Sequence, residues 1–177
     1  MSMELDGDGG AAIVDRDAID VLRGAVPELY RYASRLTGGD RWLAEDLVQE
    51  ACLALVRQRQ VEASYRFTTG WLIVVVRRRY LDHLRKARRE ERRLSLAHEG
   101  DTSLADADWS AVSDTDALAL LGELPADQRV ALVLRYVDDL PVQEVADLME
   151  RSLAATESLL ARGRRQLAQR VKGVGDG

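Results

Sequence analysis

The stretch PVQEVADLMERSLAATESLLARGRRQLAQRV, residues 141–171, decides the fold of the second half of the chain. Apolar residues recur at three- and four-residue steps over 142–149 and over 153–171, with a break at 150–152. This spacing predicts a short helix, a turn and a long helix. In such a motif the first helix braces the second, which presents its amino-terminal residues to the major groove of DNA.

The long helix has a predicted inner and a predicted outer face. Its inner stripe consists of Leu153, Thr156, Leu160, Gly163 and Leu167, and Ser152 is placed to cap its first turn. The residues predicted to face outward are Ala155, Glu157, Ser158, Ala161, Arg162 and Arg165. Outward arginines suit phosphates or guanine, although a packed helical hairpin without a DNA role is the alternative interpretation.

Helical periodicity also governs the rest of the chain. Amphipathic stretches over 18–36, 41–58 and 71–93 predict a bundle, and Pro27 predicts a kink or boundary near 24–27. We therefore predict an all-α fold of two small helical domains joined by a flexible acidic linker. The predicted divisions are a disordered tail at 1–17, a first domain at 18–93, the linker at 94–115 and a second domain at 116–172.

Charge is strongly segregated in this chain of 177 residues and net charge −5. Residues 77–93 hold nine basic and three acidic groups, 94–116 hold six acidic and no basic groups, and 151–172 hold six basic and one acidic group. The two basic blocks favour two contacts with a polyanion, and solvated helix faces are the alternative. Aromatic residues near the first block could stack on unpaired bases or pack in the core: Tyr65, Phe67, Trp71 and Tyr80.

Other functional classes receive little support. His83, His98 and Cys52 show no paired spacing typical of a zinc site or a catalytic triad, so we expect no catalytic residue, metal or cofactor and no enzymatic activity. One cysteine allows no internal disulfide. The longest apolar run, 71–76, is far shorter than the roughly 20 residues that span a bilayer. We expect a cytoplasmic protein without membrane insertion.

Four ordered blocks resemble a known family. LYRYASRLTG, AEDLVQEAC, GWLIVVVRRRYLDHLRK and LGELPADQRVALVLRYVDDLPVQEVADLMERSLAATESLLARGRRQL are similar to the bacterial extracytoplasmic-function (ECF) sigma factors of the sigma-70 family. The resemblance covers about residues 26–171. It implies a sigma factor whose two domains, regions 2 and 4, direct core RNA polymerase to a promoter.

The resemblance also implies sites and partners. Core polymerase would be bound through its clamp and flap, on the two largest subunits, with the clamp meeting Asp46, Gln49 and Glu50. The minus-ten element would be bound by Tyr65, Phe67, Arg77, Arg78, Arg79, Arg85 and Lys86. The minus-thirty-five element would be bound by Ser152, Ala155, Glu157, Ser158, Arg162 and Arg165. The acidic linker would lie in the RNA-exit path, and an anti-sigma factor is an expected partner.

One departure from the family concerns the recognition helix. Many relatives have a lysine and then an arginine where this chain has Glu157 and Leu159. A stand-alone helix-turn-helix regulator is the competing interpretation, but it leaves the AEDLVQE face and the basic first domain without a role.

Overall fold

The computed structural model of the chain describes residues 16–62, 67–94 and 114–174, and every regular element in these ranges is helical. The predicted all-α class is confirmed. Nearly all of the predicted tail and linker lies outside the described residues. The helices are α1 (Arg16–Thr37), α2 (Arg41–Val61), α3 (Thr69–Leu94), α4 (Asp114–Gly122), α5 (Ala126–Leu132), a π-helix (Val133–Val137), α6 (Val142–Met149) and α7 (Leu153–Val174).

Helices α1 to α3 form a first module, in which each helix packs against the other two. Its fully buried side chains include Leu29, Leu36, Leu55, Leu72 and Val76. The predicted boundary near 24–27 is wrong, because α1 continues through Pro27. Pro27 and Arg23 are both exposed, so water can bond to the Arg23 carbonyl that loses its helical donor.

Local signals end α1 and start α2. Gly38 and Gly39 have φ angles of 70° and 86°, a left-handed conformation that glycine adopts without steric cost. The Gly39 N–H donates to the Ser34 carbonyl at 2.9 Å, which closes the end of α1. Asp40 then caps α2, because its carboxylate accepts a hydrogen bond from the Leu43 N–H at 3.1 Å.

Helices α4 to α7, with the π-helix, form a second module in which α5 and α6 pack against α7. Its fully buried side chains include Val130, Leu134, Val145, Met149 and Leu167. The widened turn of the π-helix is closed by the Asp138 N–H donating to the Val133 carbonyl at 3.1 Å. The π-helix ends there, and Asp138 is the first residue beyond it.

The two modules pack directly on each other, and their buried residues form one continuous core. Helix α1 of the first module contacts α4 and α5 of the second. The modules approach each other closely at two glycines, where a Cβ added to Gly122 would lie 2.8 Å from the Gly38 carbonyl oxygen. Any larger residue at position 122 therefore requires the backbone at Gly38 or Gly122 to move.

Candidate nucleic-acid interface

The predicted helix, turn and helix are present as α6, a turn at residues 150–152 and α7. Glu150 ends α6 in the left-handed conformation, with φ 53°. Ser152 caps α7, because its hydroxyl accepts a hydrogen bond from the Ala155 N–H at 3.2 Å. The motif is therefore built by local caps that leave the amino-terminal end of α7 exposed at Ser152 and Glu157.

Helix α7 is rotated slightly from the predicted orientation. Two assignments are wrong: Leu153, predicted to be buried, is 42% exposed, and Ala161, predicted to face outward, is 3% exposed. The reason is close packing on α5, where a Cβ at Gly163 would lie 2.9 Å from the Leu132 side chain. The small residues at 161 and 163 allow α7 to pack closely on α5. The face of α7 that carries them therefore turns inward.

Helix α3 carries its cations on two faces. Arg78, Arg79 and Lys86 are exposed, and we call them the outer cations. Arg77, Arg85 and Arg88 are only partly exposed and point at the second module; we call them the inner arginines.

The first contact of the inner arginines is with Asp138. The Arg77 guanidinium lies 3.1 Å from the Asp138 carboxylate, with side-chain exposures of 16% and 9%. The same carboxylate oxygen accepts a hydrogen bond from the Tyr32 hydroxyl at 2.8 Å. Burial, the negative charge of Asp138 and this hydrogen bond raise the pKa of the Tyr32 phenol far above its ordinary value.

The other two inner arginines hold the turn before α7. Arg85 donates to the Leu148 carbonyl at 2.8 Å, and its guanidinium lies 3.0 Å from the Glu150 carboxylate. Arg88 forms an ion pair with Asp127 of α5, and Asp127 also pairs with Arg151 in the turn. The first module thus contacts the helix-turn-helix motif at its turn.

Arg129 joins the modules from the opposite direction. It is 8% exposed, and it donates to the Leu36 carbonyl of α1 at 2.8 Å and to the Leu124 carbonyl at 3.0 Å. Leu36 lies in the last turn of α1, where carbonyls have no intrahelical partner and carry partial negative charge. The buried cation is therefore stabilised by backbone carbonyls from both modules.

Helix α2 presents a separate exposed stripe at helical spacing. Trp42, Asp46, Gln49 and Leu53 are all exposed, with Trp42 82% and Leu53 52% accessible. Glu50 is half-buried and lies 3.4 Å from Arg79 of α3. Carboxylate and amide groups thus form the centre of this stripe, and large apolar groups lie at its ends.

Within the described ranges, no cluster of three potential metal-ligating residues occurs, and no helix has the length and apolar content needed to cross a bilayer. Partial burial raises the pKa of the Cys52 thiol.

Comparison with known proteins relates both modules to one family. The family described as Sigma-70 region 2 matches residues 21–90, and that described as Sigma-70, region 4 matches residues 115–167. The ECF RNA polymerase sigma factor SigM of Bacillus subtilis is 31% identical over 84% of this chain and 92% of its own length. The chain belongs to the ECF sigma factors.

Two further similarities bear on this sigma factor. The probable ECF RNA polymerase sigma factor SigI of Mycobacterium tuberculosis is 36% identical over 73% of this chain, which spans only about half, 47%, of that relative. The sigma factor RpoE of Bartonella quintana, solved in complex with the anti-sigma factor NepR, has a TM-score of 0.53 at 23% identity. That alignment covers 89% of this chain and 98% of RpoE, and it shows a shared fold.

Family membership decides between the two interpretations of the sequence. A stand-alone helix-turn-helix regulator is not supported, because region 2 precedes region 4 in the same chain. The families that match this chain are those of sigma factors, which act in transcription initiation.

The structure separates the residues predicted to bind the minus-ten element. In region 2, Arg78, Arg79 and Lys86 lie on the outer side of α3, whereas Arg77 and Arg85 are engaged with region 4. Phe67 packs edge-on against Trp71 with ring centroids 5.0 Å apart, and Tyr65 lies outside the described residues. Tyr80 is 2% exposed and belongs to the core.

The residues predicted to bind the minus-thirty-five element and core polymerase are more accessible. In region 4, Ser152 and Glu157 are exposed, and four more are partly exposed: Ala155, Ser158, Arg162 and Arg165. In region 2, Asp46 and Gln49 are exposed and Glu50 is half-buried. Sequence reasoning missed the contributions of Asp127 and Asp138, because an aspartate in the first turn of a helix and an aspartate in a turn are both ordinary local features.

Proposed function

We propose that this sigma factor binds core RNA polymerase and directs it to promoters, with region 2 at the minus-ten element and region 4 at the minus-thirty-five element. The observation that carries the proposal is the presence of both sigma-70 regions in one chain, each with an exposed polar surface. The RNA-forming chemistry belongs to the core enzyme, and this chain supplies recognition.

The stripe on α2 supports a contact with the polymerase clamp. Asp46 and Gln49 supply polar groups at its centre, and exposed Trp42 and Leu53 supply apolar area at its ends. Interfaces of this type place most of their binding energy in a few side chains from which neighbouring contacts exclude water. We propose Asp46 and Gln49 as the central contacts, with Trp42 and Leu53 beside them.

The two DNA contacts are assigned to the exposed faces of α3 and α7. The outer cations Arg78, Arg79 and Lys86 suit the phosphates around the minus-ten element. Glu157 is exposed near the start of α7, where a carboxylate can accept a hydrogen bond from the amino group of cytosine. Ser152, Ala155, Ser158, Arg162 and Arg165 complete the proposed surface for the minus-thirty-five element.

Co-elution with sigma-free core polymerase from the host tests the proposal. We expect a one-to-one complex for the wild-type chain and its loss for an Asp46→Ala, Gln49→Ala double variant. The Glu50→Ala variant is measured separately, because Glu50 also contacts Arg79. An Asp20→Ala, Glu28→Ala variant, which changes two exposed carboxylates on α1, is the control and should still bind.

A folded wild-type chain that fails to bind core polymerase would overturn the proposal. Binding of an anti-sigma factor by this chain belongs to the same proposal, and the RpoE complex with NepR supports it through a shared fold.

A further inference from the structure

The exposed surface at the start of α7 is apolar and acidic rather than basic. Leu153 is 42% exposed, and Ser152, Ala154 and Glu157 are exposed beside it. The sequence has no basic residue from 152 to 158. In a helix-turn-helix motif this end of the second helix meets base edges in the major groove. The side chains placed to meet the bases are therefore a carboxylate and apolar groups.

The nearest cations on either side of this surface are engaged with the protein itself. Arg151, directly before α7, pairs with Asp127 of α5. Arg162, the next cation along α7, donates to the Ser158 carbonyl at 3.3 Å. It comes five residues after Glu157, which is about 7.5 Å along the helix axis. The contact of arginine with guanine, which is common in DNA recognition, is therefore not available in the first turn of α7.

The first turn of α7 is held in one orientation by a buried threonine. Thr156 is fully buried, and its N–H and its hydroxyl both donate to the Ser152 carbonyl, at 3.0 Å and 3.1 Å. The Ser152 hydroxyl in turn accepts a hydrogen bond from the Ala155 N–H at 3.2 Å. Since Leu153 and Glu157 flank this fixed threonine, their backbone positions are set by the same contacts.

The hydrogen-bonding pattern of the major groove decides which base Glu157 can contact. An ionised carboxylate only accepts hydrogen bonds, so it requires a donor. In the major groove cytosine and adenine present amino donors, whereas guanine and thymine present acceptors. Adenine also places its N7 acceptor beside the amino group, where it repels the second carboxylate oxygen. Cytosine is therefore the base that Glu157 fits best.

Leu153 selects by a different interaction. Its side chain forms no hydrogen bond, and the apolar group that the major groove presents is the methyl group of thymine. Leu153 and Glu157 are four residues apart on one face of α7, so their Cβ atoms are about 6 Å apart. Base pairs repeat at about 3.4 Å along B-DNA. The two side chains therefore reach base pairs that are one or two steps apart.

We propose that Glu157 and Leu153 set the sequence preference of region 4. Glu157 accepts a hydrogen bond from the amino group of a cytosine, and Leu153 packs on the methyl group of a thymine one or two base pairs away. This inference rests on the proposed function and names the bases that region 4 reads within the minus-thirty-five element.

Selection from duplexes with a randomised central segment tests the contact of Glu157, for the full chain alone and for the full chain bound to core polymerase. Base pairs of the selected duplex are then replaced one at a time, and affinity is measured by fluorescence anisotropy. We expect the wild-type chain to lose about tenfold in affinity when the cytosine is replaced. With Glu157→Gln the preferred base should become adenine, because an amide bonds to the adenine amino group and N7 together. With Glu157→Ala all four bases at that position should bind within about twofold of each other.

Replacing the thymine by deoxyuridine removes only its methyl group and so isolates the contact of Leu153. We expect the wild-type chain to lose about fourfold in affinity and Leu153→Ala to lose less than about twofold. Glu144→Gln, which neutralises an exposed carboxylate on α6, is the matched control. It should keep both the preference for cytosine and the response to deoxyuridine. Circular dichroism checks that each variant keeps its helices.

Three results would overturn the role of Glu157: enrichment of no sequence in either selection, a base preference that both Glu157 variants retain, or a Glu157-dependent preference for a base other than cytosine. An equal response to deoxyuridine in the wild-type chain and in Leu153→Ala would overturn the role of Leu153.

The two proposals fail in different ways. If the chain alone selects a cytosine through Glu157 but does not bind core polymerase, the promoter function is wrong and the base assignment stands. If the chain binds core polymerase and both Glu157 variants keep the wild-type preference, the base assignment is wrong and the promoter function stands.

Discussion

The outer cations and the inner arginines of α3 belong to one basic run in the sequence, yet they lie in different environments. Arg78 and Arg79 are exposed one residue and two residues after Arg77, whose side chain is 16% exposed and paired with Asp138. Successive residues on a helix are about 100° apart, so adjacent arginines point in different directions. The comparison shows that one basic run can pair with acidic groups of the protein on one side of a helix and leave its cations exposed on the other side.

The largest expected effect is a difference in stability between variants of Arg77 and of Arg78. Arg77→Ala leaves the Asp138 carboxylate, 9% exposed, with the Tyr32 hydroxyl as its remaining partner from this cluster, so we expect a loss of about 3 kcal/mol in the free energy of unfolding. Arg78→Ala should cost less than about 0.5 kcal/mol. Urea unfolding of the two variants measures both losses. Equal losses in the free energy of unfolding would contradict the distinction between inner arginines and outer cations.

The second prediction concerns DNA binding by the outer cations. Changing Arg78, Arg79 and Lys86 to alanine removes three exposed charges. If all three contact phosphates, the salt slope of duplex binding should fall by about 2.7, and affinity at low salt should fall roughly tenfold. Fluorescence anisotropy across a salt series measures both quantities. An unchanged salt slope would remove these residues from the DNA-binding surface.

A third prediction concerns how the free energy of unfolding depends on pH through Tyr32, which contacts Asp138. The pKa of Tyr32 is raised by burial and by Asp138, so the folded state keeps its phenolic proton at pH values where the unfolded chain loses it. Stability should therefore be retained below the ordinary tyrosine pKa of about 10 and should fall as pH rises above it. Tyr32→Phe should cost about 1 kcal/mol at neutral pH and should reduce the alkaline loss. Urea midpoints at pH 8 and pH 10.5 measure this, and an alkaline loss of equal size in both chains would contradict it.

The smallest expected effect concerns the contact between Glu50 and Arg79, which is one of the outer cations. Glu50 and Arg79 are half-exposed and 3.4 Å apart, an arrangement worth a few tenths of a kcal/mol in solvent. Glu50→Gln should leave stability nearly unchanged and should raise duplex affinity by less than about twofold, because Arg79 becomes available. A loss above about 1 kcal/mol in urea would place Glu50 in the core instead.

Much of the fold was predictable because helical periodicity depends on local sequence. The stripe containing Leu47, Ala51 and Leu55 is buried as its spacing predicts, and the turn at residues 38–40 is explained by glycines and a capping aspartate. The orientation of α7 was predicted less well. Leu153 and Ala161 exchange their expected environments, because contact with Leu132 and not hydrophobicity alone decides which face turns inward.

The contact between the regions could not be predicted from the sequence. Arg77 and Arg78 are chemically identical, and only packing of a module more than thirty residues further along the chain distinguishes them. Asp138 comes directly after a π-helix, whose extra residue rotates the next part of the backbone, and Glu150 takes a left-handed conformation that glycine usually occupies. Neither feature has a periodic signal.

The buried Arg129 has a consequence for the timing of synthesis. Its hydrogen bond to the Leu36 carbonyl joins residues 93 positions apart. At about 5 to 20 residues per second, the ribosome adds Arg129 roughly 5 to 20 s after Leu36. Helix α3 is complete at residue 94, before Asp127 and Asp138 are added, so the inner arginines are synthesised before the carboxylates of the second module that pair with them.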